Sequence, residues 1–233
     1  MDRKKFIRNS ILGIASLATA TKMLESCSKS DNDDNTSADG SCTVSPSETK
    51  GPFPIKTPSQ LVLENIKSDR IGVALLINLT IENQNKDCAP LEGVLVDVWH
   101  CDKDGNYSEY GGTSMQQTDY TSVHFLRGRQ TSDANGEVSF ISIFPGWYQG
   151  RAPHIHVEVL SASGSSLLVT QIAFPENVAS EVYSSTNYAS HGQADTSNTS
   201  DNVFSDSLSD ELGTLTGNLT DGYTLSKTIT VKA

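Results

Sequence analysis

Two histidines one residue apart, His154 and His156, lie in the stretch FPGWYQGRAPHIHVEV, which runs from Phe144 to Val159. On a strand, side chains at i and i+2 share a face, so both imidazoles converge on one point. Imidazole is a common ligand of iron, copper and zinc. An isolated H-x-H is more often an ordinary surface or core pair, so its neighbours decide. Tyr148 sits just upstream across the Gly150 turn, within reach of the same point, and Arg151 sets a fixed positive charge between them. Each has a plain structural reading, a phenol capping a P-G-x-Y turn and a surface arginine. Together they describe a site of anionic oxygen and imidazole nitrogen, which suits Fe(III) better than Zn(II) or Cu(I). No carboxylate stands at general-base spacing from the histidines, which makes a metal hydrolase the weaker reading.

The elements that must position these groups read as strands. Residues 71–81 (IGVALLINLTI) are β-branched and partly alternating. Residues 93–100 follow, with Val94, Val96 and Val98 on one face and Leu95, Asp97 and Trp99 on the other. Further strands are expected over 138–143, 155–160, 167–174 and 224–231, with turns at Asp104-Gly105, Asn135-Gly136 and Pro145-Gly146. Residues 183–206 are rich in Ser, Thr, Asn and Asp and read as a long surface loop. Many short strands without a helical period indicate an all-β protein, an antiparallel β-sandwich with long connecting loops.

With those strands in place the motifs resemble a known family, the intradiol ring-cleavage dioxygenases. The P-G-x-Y turn and the RAPHIH stretch carry the likeness, with VDVWHCDKDGNYS (Val96 to Ser108) upstream. It extends through LRGRQTSDANGEVSF, through Thr170 to Phe174, and through PSETKGPFP and DTSNTSDNVF, similar to the secreted single-domain branch. It covers roughly residues 42–231. The resemblance implies a non-haem Fe(III) cofactor held by Tyr107, Tyr148, His154 and His156. Arg151 and Gln171 match residues beside the substrate, with Tyr148, Arg151 and Gln171 as the catalytic set. Asp97 and Trp99 match structural positions, and His100 reads as an outer residue or plain surface. The implied reaction is intradiol cleavage of a catechol by O2 to a cis,cis-muconate-type diacid. The spacing from Tyr148 to His154 is short, which implies an open site that accepts substrates larger or more varied than catechol. The sequence shows no match to the long helical extension through which intracellular members dimerise, so dimerisation by that route is not expected. His124 and His191 have no supporting context and read as exposed. Tyr110, Tyr120, Tyr183 and Tyr188 are open candidates for the pocket wall.

A rival reading rests on residues 131–148, whose T-x-D-x-x-G-x-x-x-F and P-G-x-Y also resemble transthyretin-like and carboxypeptidase-regulatory-like β-sandwich modules, which bind without metal or catalysis. Such modules have no reason to carry Tyr107, Arg151, His154, His156 and Gln171 together. A family member that binds catechols without cleaving them is the other alternative.

Composition narrows the rest. The 233 residues carry a net charge of −11, which argues against nucleic acid or an anionic membrane face as partner. No phosphate loop or G-x-S-x-G is present. Arg3, Lys4, Lys5 and Arg8 precede a short apolar run from Ile11 to Ala20, so residues 1–26 read as a signal peptide. Leu24-Glu25-Ser26-Cys27 resembles a bacterial lipobox, which implies export and membrane contact only through a lipidated Cys27, at the periplasm or cell surface. Residues 27–41 are polar and acidic and read as a flexible tether, followed by the β-sandwich domain at 42–233. Asn78, Asn198 and Asn218 sit in N-x-S/T sequons, which matter only in a eukaryotic secretory pathway, against which the lipobox argues. Beyond Cys27 the chain has Cys42, Cys88 and Cys101, an odd count that predicts one disulfide and one free thiol.

Overall fold

Alternation of apolar and polar residues makes the first strand, β1 (Ala74–Asn83), whose Leu75, Ile77, Leu79 and Ile81 are buried. The computed structural model describes residues 42–233. The expected signal peptide, the Cys27 anchor and the tether lie outside the described residues. Eight further strands follow: β2 (Ala89–Pro90), β3 (Leu95–Trp99), β4 (Arg127–Thr131), β5 (Glu137–Ile143), β6 (His154–Leu160), β7 (Ser166–Ala173), β8 (Thr214–Asn218) and β9 (Gly222–Val231). One sheet runs β2-β1-β9-β8 with β5 also on β1; the other runs β4-β3-β6-β7. A single apolar cluster draws Ile77, Leu79, Phe140 and Ile229 from the first sheet and Val96, Val98, Ile155, Val157 and Ile172 from the second.

The expectation of wholly antiparallel pairing is corrected at one place: β1 and β9 run parallel, Leu75 opposite Tyr223 through Asn83 opposite Val231. A parallel pair needs a long crossover between its strands, and nearly the whole domain supplies it. Three strands escape the hydrophobic pattern, among them the two-residue, exposed β2. RGRQT of β4 looks like a charged loop, and β8 is almost wholly exposed. The expected loop at 183–206 holds beyond its first residue, but it does not lie wholly on the surface. Its first residue ends a helix, Glu176–Tyr183, and Tyr183, Tyr188, Asn198, Asp201, Val203 and Phe204 are buried. The hydroxyl of Tyr188 donates to Phe144 O at 2.7 Å and that of Tyr183 to Pro145 O, so the segment folds down beside the P-G-W-Y turn.

Strand register builds the face that matters. Arg127 pairs with Trp99, Trp99 with His156, and His156 with Gln171. Residues directly opposite across strands share a face, so these four form one row across the second sheet. Ile155, Val157 and Val159 face the shared core, and the histidines point the other way. An irregular strap, residues 42–57, covers that outer side. Its Glu48 N–H donates to Val169 O, the Gln171 amide donates to Thr49 O, and Lys50 pairs with Glu158 at 2.7 Å. The far end of the strap is held by a Cys42–Cys88 disulfide, and Cys101 is a buried free thiol. The expected count of one disulfide and one thiol holds.

Candidate metal centre and its cleft

His154 and His156 leave β6 on one face, as the two-residue period requires, and their Nε2 atoms stand 3.1 Å apart. Tyr107 reaches them from the loop after β3, its hydroxyl 3.4 Å from His154 Nε2. Tyr148 comes from the P-G-W-Y turn. Its ring lies 5.5 Å from that of His154 and 5.8 Å from that of Tyr107. Its hydroxyl accepts from Arg151 Nη1 at 3.3 Å. The structure thus brings together all six residues expected at the site, since Arg151 Nη2 also donates to Gln171 Oε1 at 2.6 Å.

Local chemistry holds each group. The Asp102 carboxylate accepts from the backbone N–H groups of Asp104 and Asn106 and shapes the turn before Tyr107. Gly105 (φ +82°) lies against Trp147 O, where any side chain would collide, so this turn can abut the one that carries Tyr148. Gln116 clamps Tyr107 from behind. Its Oε1 accepts from Tyr107 N, and its Nε2 donates to the carbonyls of Tyr107, Tyr110 and Thr118. Fully buried Arg127 donates to Ser108 and to Phe53 O. Phe53 stacks on Tyr107 with centroids 4.7 Å apart, and Trp99 stacks on His156 at 4.9 Å with the rings nearly parallel. The carboxylate of Asp97 is held by Arg129, with Nη2 to Oδ2 at 2.6 Å.

The fit to a metal can be tested on the nitrogen atoms. Burial lowers the pKa of His154 to about 3 and holds that of His156 well below the usual histidine range, so both rings are neutral. His154 Nδ1 meets Ala152 O at 2.6 Å and must be the donor there, which leaves a lone pair on its Nε2. If His156 carries its proton on Nε2, its buried Nδ1 lone pair has no partner. If it carries the proton on Nδ1, two lone pairs face each other at 3.1 Å. A cation between the Nε2 atoms turns that repulsion into attraction. Metal–imidazole bonds are about 2.0–2.1 Å long, so nitrogens 3.1 Å apart are spaced as neighbours on one ion. Burial also pushes the Tyr107 and Tyr148 phenols up. Both are neutral unless a cation draws off their protons. Among the described residues no cluster of three or more His, Cys, Asp or Glu is placed to hold a metal. A centre here has to use the phenols, and that donor set favours a hard ferric ion.

Tyr148 and Arg151 also line an open cleft of about 420 Å³, with Thr49, Gly51, Pro52, Met115, Gln149, Asn202 and Val203 around them. Tyr107 and the histidines lie behind it, fully buried. Of the tyrosines left open, none lines the cleft: Tyr110 packs on Phe53, Tyr120 on Phe125, and Tyr183 and Tyr188 on the core. His100 is not surface. It is fully buried, bonded to Ser142 Oγ and Cys101 O, with a pKa lowered to about 4 by burial. His124 is exposed but pairs with Glu109 at 2.8 Å. His191 is half-buried against Trp147 rather than free. Sequence reading missed three residues that support the site: Gln116, Arg127 and Asp201. Arg127 and Asp201 lie in stretches that carried the family likeness, LRGRQ and DTSNTSDNVF. Gln116 gave no signal.

Two sheets around one core, with two phenols and two imidazoles converging on the outer face of one of them, define a class: an all-β protein with a candidate oxygen-and-nitrogen metal centre. The sequence profile of the dioxygenase family matches residues 51–207, and the chain belongs to that family, among the intradiol ring-cleavage dioxygenases. An intradiol ring-cleavage dioxygenase from Tetranychus urticae superposes with a TM-score of 0.73 at 28% identity, over 82% of this chain and 95% of that one. A chlorocatechol 1,2-dioxygenase of Rhodococcus opacus is 31% identical over 104 residues, 36% of this chain and 38% of that relative's length. The structure of a 3-chlorocatechol 1,2-dioxygenase from Rhodococcus opacus shares the fold at 22% identity and a TM-score of 0.57, over 84% of this chain and 75% of that one.

Proposed function

We propose that this protein cleaves a catechol-type ring between its two hydroxyl-bearing carbons with O2, giving a cis,cis-muconate-type diacid. The observation that carries the reading is the convergence of Tyr107, His154 and His156 on one buried point, with Tyr148 and Arg151 between it and the cleft. Tyr107, Tyr148, His154 and His156 would hold a non-haem Fe(III). When bound, that ion supplies a Lewis acid that accepts both catechol oxygens and activates the ring toward O2. The chain's own residues do the rest. Tyr107 and the histidines are walled off from solvent and serve as the fixed donors. Tyr148 is half-buried at the cleft, placed to give way to the substrate and take a proton from it at Oη. Arg151 holds a positive charge beside the ring as negative charge develops there. Gln171, bonded to both Arg151 and the strap, fixes the guanidinium. The two sheets, which share one core, support the β-sandwich architecture. Export and lipid anchoring at Cys27 rest on the sequence, and the Cys42–Cys88 disulfide supports an oxidising compartment.

The test is the visible spectrum of the full-length protein, purified in detergent with iron supplied. Phenolate-to-iron charge transfer is expected to colour it red-brown, and adding a catechol under nitrogen to move the band to longer wavelength. A protein that stays colourless after iron loading removes the centre and leaves the metal-free binding module. Substrate breadth is a separate expectation. The apolar wall of Pro52, Met115 and Val203 around an open cleft favours substituted catechols. Oxygen uptake is expected with bulky catechols as well as with catechol, hydroxyquinol and protocatechuate. Strict preference for unsubstituted catechol would refute this.

A further inference from the structure

Arginine is a long side chain, and a guanidinium serves as a fixed charge only if something other than substrate holds it. We propose that Asp201 is a positioning residue for Arg151 alongside Gln171, gripping it by Nε so that its Nη groups face Tyr148, Gln171 and the cleft. The proposal rests on the ring-cleavage reading of the same site.

Asp201 is fully buried, and its carboxylate is saturated. Arg151 Nε donates to both oxygens, at 3.0 and 2.8 Å. Ala152 N donates to Oδ2 at 2.7 Å and Val203 N to Oδ1 at 2.9 Å. The backbone of Asp201 is pinned as well, its N–H on Ser197 O and its carbonyl under Ser205 N. The grip uses one of the five N–H groups of arginine. Tyr148 takes one from Nη1 and Gln171 one from Nη2. Among the described residues no acceptor takes the other two, and Arg151 lines the cleft. Those two are left for the substrate. The Ala152 carbonyl in turn accepts from His154 Nδ1, so one carboxylate organises the charge beside the cleft and the backbone that orients a candidate ligand. The pair is also electrically balanced. A buried guanidinium without its counter-ion is strongly unfavourable, whereas loss of both charges is tolerated.

The experiment is a double-mutant cycle of Asp201→Asn, Arg151→Gln and the double variant in the full-length protein. It reads iron content, visible spectrum, catechol Kd under nitrogen, and kcat/KM. Asp201→Asn is expected to keep its iron and its colour and to lose roughly 10- to 100-fold in kcat/KM, the range typical of outer-sphere partners. The double variant is expected to be no worse than Arg151→Gln alone, because effects that run through one group do not add. Wild-type behaviour of Asp201→Asn, or losses that multiply in the double variant, overturns the proposal. If Asp201→Asn does not fold, a double variant that does fold shows that the two charges are coupled and supports it. If neither folds, Asp201 is only a cap for the backbone at 152 and 203, and the proposal fails. Failure of the ring-cleavage reading looks different, since the wild type itself would then show no turnover of any catechol.

Discussion

Alanine in place of His154 or His156 is expected to leave a folded protein that no longer binds iron. Both rings are fully buried and neutral, so their lone pairs are available at any ordinary pH. Loss of an outer partner typically costs metal sites about 10- to 100-fold in affinity, and loss of a ligand is expected to exceed that, with turnover falling to background. Stability separates this from simple damage. In the metal-free protein either tautomer of His156 is unfavourable by about 1–3 kcal/mol, through the orphaned Nδ1 in one and the facing Nε2 lone pairs in the other. Deleting the His156 ring removes that penalty but opens a cavity beside Trp99 of similar or larger cost, typically about 2–5 kcal/mol for a large buried side chain. The metal-free His156→Ala variant is therefore expected to melt slightly below metal-free wild type. Iron is expected to bind the folded state and raise the wild-type Tm by linkage, and to do nothing for the variant. Differential scanning fluorimetry with and without iron checks this. A variant whose Tm and colour still respond to iron refutes the assignment of that histidine.

How much of this was legible in the sequence depends on which physical signal each residue carries. The two-residue period of a strand is local, so the shared face of His154 and His156 and the buried Val94, Val96 and Val98 were readable directly. Tyr148 and Arg151 lie within a few residues of the histidines and were readable with them. Tyr107 is distant in the chain, and only the motif around it pointed to the site. The structure brings it there through the Asp102 turn, Gly105 and the Gln116 clamp, contacts with no periodic signature. Strand β4 was illegible for a different reason. Its Arg127 and Arg129 look solvated in the sequence, but they lie opposite Trp99 and Asp97, and Arg127 is buried with each guanidinium nitrogen hydrogen-bonded. Composition misled at 183–206 in the same way. Polar residues there are buried because backbone groups and a guanidinium satisfy them, as at the Asp201 carboxylate and the Asn198 Nδ2. The parallel pairing of β1 with β9 and the Cys42–Cys88 bond join residues far apart in the chain, and no local pattern encodes either.

Reduction of the Cys42–Cys88 disulfide is expected to lower the Tm by roughly 8–16 °C and to speed the loss of iron to a chelator. The bond closes a loop with a sequence separation of 46, and the chain-entropy relation assigns a loop of that length about 4 kcal/mol. For a domain of 150–250 residues each kcal/mol is worth about 2–4 °C. The link to iron runs through the strap. Between the disulfide and Thr57 it forms no regular strand, yet it supplies Thr49 O to Gln171 and Phe53 to the face of Tyr107. Gly51 closes it over His156, with φ +66° and a place where a Cβ would come within 2.9 Å of His156 Cε1. Glycine alone adopts that conformation without penalty. Gly51→Ala therefore isolates the second effect. It keeps the disulfide and is expected to lower the Tm by only a few degrees, since alanine at positive φ costs on the order of 1 kcal/mol, while the strap lifts off the ring and iron escapes faster. The Cys42→Ser/Cys88→Ser variant should match the reduced protein, because Cys101 is buried and unpaired in both. Iron loss in Gly51→Ala without the large drop in Tm would establish the strap as a wall of the centre. Unchanged iron retention in Gly51→Ala would show that the strap covers the site without shaping it, and the disulfide would then act on stability alone.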